Sequence, residues 1–333
     1  MIRLAFLSTA HIHTRSFIAR VAELDGVTVS AVWDDVADRG RRYAESADAR
    51  FVDALDDALA ADDIDGFVIT AENTRHLPLL EAAIPVGKPV MCEKPLVTTD
   101  ADLARLRERI AEHRPVLTNG YFMPHFARFR AAAAALERGD VGDLVLATFR
   151  NAHHAAYGRW FDSDDLNWFT DPELAGGGAL LDMGTHAVHL LRTICGPVAR
   201  VWATHANLTG IYPRVDDWGV IELEFASGAR GRAEAGWCVN GGHKGLELLG
   251  SEAAIVEGGH GLRWAKPGQD SQPLDADATP ARPDRIDRLV AAIRGELDAR
   301  ALQADLDAAL DAVAIMAAAY RSADTGAWQT LGA

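Results

Sequence analysis

Three short stretches of this 333-residue sequence carry side chains that could do chemistry. Asp182 and His186 stand four apart in the apolar run Ala179–Leu191, so on the helix this run predicts both project from one face. A carboxylate beside an imidazole orients the ring and raises its basicity, the pairing that general-base catalysis uses. The same pair also fits a structural Asp–His contact. His189, three beyond His186, could complete a metal trio, but no further acid or cysteine ligand falls nearby in sequence, and no metal is expected. Gly176-Gly177-Gly178 predict a flexible or closely approached entry to the helix.

The second stretch runs from Gly87-Lys88 through a short apolar strand into Glu93-Lys94-Pro95. Pro95 keeps Lys94 out of helical geometry. A cationic amine at the carboxyl end of such a strand can hydrogen-bond a hydroxyl and stabilise a forming alkoxide. A solvated lysine is the plainer alternative.

The third stretch is the turn after the first strand, Ser8-Thr9-Ala10-His11-Ile12-His13, where a dinucleotide fold places G-x-G-x-x-G/A. No glycine is present. Ser8 and Ala10 are small enough for close approach, whereas His13 is bulky where helix and strand should pack. Asp34, at the end of the second strand, lies roughly the ~20 residues onward at which a ribose-binding acid is expected. Its carboxylate would accept from a 2′-hydroxyl and repel a 2′-phosphate, and Asp35 adds to that repulsion, favouring NAD over NADP. An ordinary βα turn, with two acids capping the next helix, is the competing reading.

These residues need elements to hold them. Strand and helix signals alternate over the first third: Ile2–Leu7, Thr14–Glu23, Val27–Trp33, Val36–Glu45, Gly66–Thr70, Arg75–Ile84, Pro89–Cys92, Asp100–Glu112 and Val116–Thr118. Asp100 is a candidate cap for the last of these helices. Such alternation builds a parallel sheet with helices on both faces. After about Tyr121 the pattern changes. A helix at His125–Arg138 precedes strands at Leu144–Arg150, Val201–Ala206, Trp218–Phe225, Ala229–Trp237 and Gly245–Gly250. Ile221, Leu223 and Phe225 alternate with Glu222 and Glu224, as in a sheet with one wet face. Pro267–Pro283 reads as a surface loop, and helices at Asp284–Gly295 and Ala304–Ser322 follow. The expected fold is therefore α/β: a dinucleotide-binding Rossmann domain over 1–120, then an α+β domain over 121–333 with an open, mostly antiparallel sheet. The C-terminal helix is free to pack back on the first domain.

A formal charge of -15 makes nucleic acid and anionic membranes poor partners. Cys92, Cys195 and Cys238 form no CxxC pair and predict reduced thiols in a cytoplasmic protein. No stretch reaches the length of a membrane span.

Taken in order, the motifs resemble the Gfo/Idh/MocA family of glucose–fructose oxidoreductases, inositol dehydrogenases and relatives. The matching pieces are Thr70-Ala71-Glu72-Asn73-Thr74-Arg75-His76, Glu93-Lys94-Pro95, Leu136–Asp143, Trp168 with Asp171-Pro172-Glu173, the triple glycine with Asp182, Gly184 and His186, and Tyr320-Arg321-Ser322 with Gly326 and Trp328. The resemblance implies hydride transfer between a nicotinamide cofactor and a sugar or polyol carbon, in dimers or tetramers. It implies that Lys94, Asp182 and His186 carry catalysis. It places Asn73, His76 and Glu93 on the nicotinamide side, with Ser8, Thr9, Ala10, His11, Ile12, Asp34, Thr70 and Lys94 also toward the cofactor. Departures fall at the glycine loop, at Tyr121-Phe122-Met123-Pro124 where an arginine is common, and at His189 where an aspartate is frequent. Aromatic faces suit sugar rings and imidazoles suit hydroxyls, so His153, His154, Tyr157, Trp160, Trp168 and Trp237 are candidate substrate walls, with Tyr121 and His189 beside them. Two rivals stand against a simple dehydrogenase: a glycosidase-like relative that oxidises transiently, and a catalytically silent NAD-binding sensor.

Overall fold

The computed structural model describes residues 1–241, 245–258, 261–276 and 279–332. The chain forms two compact units: Met1–Tyr121 with Asp162–Gly176 and Pro283–Leu310, and Phe122–Phe161 with Gly177–Arg282 and Asp311–Ala333.

In the first unit, strands β1 (Ile2–Leu7), β2 (Val27–Trp33), β3 (Arg50–Phe51), β4 (Gly66–Ile69), β5 (Val90–Cys92) and β6 (Leu117–Asn119) make one sheet in the order β3-β2-β1-β4-β5-β6. Every pair is parallel. The order reverses between β1 and β4, the switch point outside which doubly wound sheets bind ligands. Helices α1 (Thr14–Glu23), α2 (Ala37–Ser46), α3 (Leu55–Ala60), α4 (His76–Ala83) and α5 (Asp100–His113) supply the crossovers. The expected helix at Arg75–Ile84 splits into a 3-10 turn, Asn73–Arg75, and α4. The cap of α5 is Thr99 rather than Asp100: its hydroxyl accepts from Asp102 N at 3.1 Å, which leaves Asp100 inside the first turn. One face of the sheet is closed from far along the chain. Ile286, Leu289 and Val290 of α9 (Arg285–Ile293) join Leu4, Phe6, Phe17, Val29, Val68 and Met91 in one buried cluster. Each fully buried side chain of this kind contributes roughly 1.5–3 kcal/mol.

In the second unit, α6 (Ala127–Glu137), preceded by a 3-10 turn at Met123–His125, leads into β7 (Leu144–Ala152). The helix expected from His125 thus starts two residues later. A short helix, α7 (Pro172–Ala175), belongs to the first unit; α8 (Ala179–Cys195) belongs to the second. Strands β8 (Val198–Ala206), β9 (Trp218–Phe225), β10 (Arg230–Gly236), β11 (Gly245–Gly250), β12 (Ala254–Gly258), β13 (Gly261–Ala265), β14 (Gln272–Pro273) and β15 (Gln329–Thr330) complete a sheet ordered β14-β13-β12-β11-β7-β10-β9-β8-β15. It is antiparallel except for β10 beside β7. The loop expected at Pro267–Pro283 contains β14, and its residues 277–278 lie outside the described residues. One face is wet and laced with charge, as the β9 alternation predicts: Arg232 pairs with Glu222 at 3.3 Å and Arg150 with Glu234 at 2.7 Å. The last helix, α10 (Ala299–Thr325), contributes residues to both units.

Helix α8 is apolar almost all round and buried along nearly its whole length, the signature of a helix inside a core. Its start is clamped by Asp216. Gly178 N and Leu180 N donate to the Asp216 carboxylate at 3.1 and 2.7 Å, Ala179 N donates to its carbonyl at 2.9 Å, and Tyr320 adds its hydroxyl at 3.0 Å. Burial holds the Asp216 carboxyl above its usual range in spite of these donors. The clamp requires Gly178, because a Cβ there would stand 2.1 Å from the Asp216 carbonyl oxygen. Gly178→Ala should therefore lower stability by about 1–3 kcal/mol, the usual range for overpacking. A melting temperature equal to wild type would show that the clamp yields.

Candidate functional site

The first unit gathers the predicted cofactor residues at the carboxyl edge of its sheet. Ser8 leaves β1 in the left-handed region, φ 67°, where a glycine is usual. Its carbonyl accepts from Thr70 Oγ1 at 2.7 Å, and His11 N donates to Thr70 O at 2.9 Å, so the loops after β1 and β4 are tied together. Ala10 O accepts from the Trp168 indole at 3.1 Å, and Trp168 stacks on Phe169 with centroids 3.9 Å apart. Trp168 is thus buried over the loop. Ile12 is exposed.

Asp34 is placed where the ribose acid was expected, but its side chain is completely enclosed. Thr9 N and Oγ1 donate to it at 2.8 and 2.5 Å, Val36 N at 2.8 Å, and Arg39 through Nε and Nη2 at 2.9 and 2.8 Å. Arg39 also reaches Glu72 at 3.3 Å and Asp35 at 3.3 Å. Asp35, with a side chain 32% exposed, also pairs with Arg75. Burial alone would lower the Arg39 pKa; Asp34 and Glu72 outweigh it and raise it. Arg39 lies outside the sequence-derived site. Its one local signal is a position about one and a half turns beyond Asp34, which cannot show that the pair is enclosed.

Glu93 is fully buried beneath three groups. His13 Nδ1 stands 3.0 Å from Oε1, His11 Nε2 stands 4.0 Å from Oε2, and Lys94 N donates to Oε2 at 2.8 Å. Burial favours the neutral acid, but the two imidazoles and Lys94 prevail and hold this carboxyl well below the usual range. Gly120 permits the close packing, since a Cβ there would fall 2.5 Å from Glu93 Oε2. His76, also fully buried, has Nδ1 2.7 Å from Pro95 O and Nε2 3.1 Å from Ala71 O, which pins the Glu93-Lys94-Pro95 turn to the loop after β4. Burial keeps its pKa below the ordinary imidazole value. Lys94 itself is 3% exposed.

A depressed carboxyl pKa stabilises the fold above the ordinary glutamate value and ceases to do so as pH falls through the folded value. The urea midpoint of wild type should therefore drop on acidification below about pH 4.3. Glu93→Gln should drop less over the same window. Parallel curves for the two proteins would remove Glu93 from the acid response.

The second unit holds the predicted acid–base pair on α8. Asp182 Oδ2 accepts from the Trp237 indole at 2.9 Å, and His186, 5% exposed, meets Phe122 edge-on at 5.1 Å between centroids. Trp237 was a candidate wall. It is instead fully buried, packed on Phe161 at 4.7 Å, and serves as a donor to Asp182. Nothing near Trp237 in sequence signals this, because β10 brings it to α8 from 55 residues away. His189 is buried on the same helix. His153 lies 4.7 Å and His154 5.2 Å from the exposed Trp160 ring, with Tyr157 exposed beside them in sequence. Tyr121 is buried as the last residue of the first unit's opening segment.

The family models match in the same order as the units. Residues 3–121 match the model described as an oxidoreductase family with an NAD-binding Rossmann fold, and residues 129–256 match the GFO/IDH/MocA C-terminal domain. The chain belongs to the Gfo/Idh/MocA oxidoreductase family. Among similar proteins is a dTDP-3,4-didehydro-2,6-dideoxy-alpha-D-glucose 3-reductase from Streptomyces violaceoruber, 27% identical over 77% of this chain and 72% of its own. A 1,5-anhydro-D-fructose reductase from Ensifer adhaerens is 26% identical over 78% of this chain and 80% of its own. GenD2 from gentamicin A biosynthesis, solved with NAD, superposes with TM-score 0.80 at 25% identity, covering 100% of this chain and 97% of its own. The WlbA dehydrogenase of Bordetella pertussis shares the fold at TM-score 0.85 and 22% identity over 100% of this chain and 98% of its own.

The Gfo/Idh/MocA fold implies a nicotinamide dinucleotide, and the first unit has groups that fit one. Among the described residues, Thr14 Oγ1 at the start of α1 and Asn73 Oδ1 after β4 are buried without hydrogen-bond partners. These two stand at the ends of the loops that flank the switch point, where a ligand would supply what they lack. A separate cavity of about 650 Å³, lined by Ile18, Val29, Arg42 and Tyr43 on the flank of the sheet, contains none of these residues. No helix among the described residues is long and apolar enough to cross a membrane.

Proposed function

We propose that this chain is an NAD-dependent oxidoreductase acting on a secondary hydroxyl, or the corresponding ketone, of a sugar, inositol or related polyol. The observation that supports the reading is that residues 3–121, which include Lys94, and residues 129–256, which include Asp182 and His186, match the family's two domain models in order. His186 takes the hydroxyl proton, Asp182 acts with it, and Lys94 stabilises the charge left on oxygen. The bound nicotinamide supplies the hydride acceptor. The loop after β1, the start of α1 and Asn73 hold the cofactor.

NAD is favoured over NADP by charge. Asp34, Asp35 and Glu72 outnumber Arg39 and Arg75 at the end of β2, so a 2′-phosphate would meet a net negative corner. A cytoplasmic homodimer or homotetramer with no nucleic-acid partner completes the reading, in keeping with the acidic surface.

The test is NADH and NADPH formation by the purified protein across sugars, inositols and glycosides. Net NADH with a polyol or sugar is expected. Aglycone release without net NADH would replace the reading with transient oxidation. Cofactor binding without turnover of any substrate would replace it with a silent sensor.

A further inference from the structure

We propose that Trp237 is a positioning residue for the reaction: its indole N–H, seated by the Asp216-Asp217 segment, sets the direction of the Asp182 carboxylate. The inference rests on the catalytic reading of Asp182 above.

An indole nitrogen donates and never accepts, so the atom it faces must be an acceptor. Trp237 Nε1 donates to Asp182 Oδ2 at 2.9 Å. Asp182 lies in the first turn of α8, so the helix fixes its Cα and the indole fixes one of its oxygens. Two fixed points give the carboxylate one direction. That matters because a misplacement of about 1 Å can cost on the order of 10²-fold in rate.

Both partners of this bond are held by the same two residues. Asp216 clamps the start of α8: its carboxylate accepts from Gly178 N and Leu180 N at 3.1 and 2.7 Å, and its carbonyl from Ala179 N at 2.9 Å. Asp217, next along the chain, accepts Trp237 N on its carbonyl at 2.9 Å. This bond extends the ladder between β9 and β10 by one step beyond the Trp218–Gly236 pair, so strand register sets the place of Trp237. Asp217 is itself tied down. Its amide donates to Ala206 O at 3.1 Å, and its buried carboxylate accepts from Leu208 N, Thr209 N and Thr209 Oγ1 at 2.7, 2.9 and 2.6 Å.

The ring is confined as well. It is fully buried and packs on Phe161 with centroids 4.7 Å apart, while the Trp237 carbonyl accepts from Ala156 N at 3.0 Å. A close-packed ring pinned through its own backbone has little room to swing away. Another large apolar ring could fill this volume, but the indole also places a donor on Oδ2.

The experiment is a double-mutant cycle on kcat, using a sugar or polyol that wild type turns over, with NADH binding and melting temperature followed alongside. Trp237→Phe keeps an aromatic ring and removes the donor. It should lower kcat roughly 10–100-fold, the worth of a hydrogen bond to a charged group, and leave the NADH Kd at the wild-type value. In an Asp182→Ala background the same substitution should leave kcat where Asp182→Ala alone puts it. Wild-type kcat in Trp237→Phe overturns the proposal. So does an equal loss with and without Asp182, which marks a packing role only. Should Trp237→Phe not fold, Phe161→Leu loosens the ring's seat and is read in the same cycle. A kcat loss that vanishes without Asp182 supports the proposal, and no loss or an equal loss overturns it. Wild-type turnover in Asp182→Ala would instead overturn the catalytic reading beneath it.

Discussion

The His186→Ala variant should turn over about 10²–10⁴-fold more slowly than wild type, the range that one positioned acid–base group contributes. It should fold and bind NADH as before. His186 lies in the middle of α8, and alanine is the strongest helix former, so the helix survives the change. The ring's edge contact with Phe122 is lost, which removes some packing but leaves the Asp216 clamp at the start of α8 intact. Activity should therefore fall through kcat, with the melting temperature moving much less than the rate. Asp182→Asn offers a second probe, because the Trp237 indole can still donate to the amide oxygen. If His186→Ala retains near wild-type turnover, the proton is taken elsewhere and the role assigned to α8 is wrong.

The second large effect should come from a residue with no chemical step of its own. Arg39→Ala should destabilise the protein by about 3–5 kcal/mol, the range for removing one partner of a buried ion pair. The variant leaves Asp34 and Glu72, both enclosed, without their main cation. Arg41→Ala supplies the contrast. Arg41 pairs with Asp53 at 2.7 Å on the surface, and its loss should change stability by about 0–1 kcal/mol. Urea unfolding of the two variants side by side is the measurement. An Arg39→Ala protein within 1 kcal/mol of Arg41→Ala, on the order of the surface value, would mean that water reaches the Asp34 carboxylate. The result also governs cofactor engineering. Changing Asp34 would alter selectivity and stability together, whereas the partly exposed Asp35 can be changed with less disruption.

What the sequence discloses and what it withholds follow from range. The apolar alternation of β9 sets its buried Ile221, Leu223 and Phe225 against its wet Glu222 and Glu224, because period two is a local property of a strand. Glu93-Lys94-Pro95 and the Asp182–His186 spacing are likewise local. The fate of Asp34 is not. Its enclosure depends on where an arginine on α2 directs its guanidinium and on Glu72 arriving from the loop after β4. The bond from Trp237 to Asp182 and the return of α9 to the first sheet are set by tertiary packing, which no periodicity encodes. Ser8 falls between these cases. Its missing glycine is visible in sequence, but its left-handed backbone is not.

The chain passes from one compact unit to the other after Tyr121, Phe161, Gly176, Arg282 and Leu310. The two halves are thus interlaced in the gene even where each is complete in space. A truncation ending at Tyr121 would discard Ile286, Leu289 and Val290, leaving bare the side of the parallel sheet that α9 shields, and would discard Trp168 from above the loop after β1. Exchange of cofactor modules among relatives by a single splice is therefore closed to this protein. A graft would have to carry residues 162–176 and 283–310 along with the opening segment.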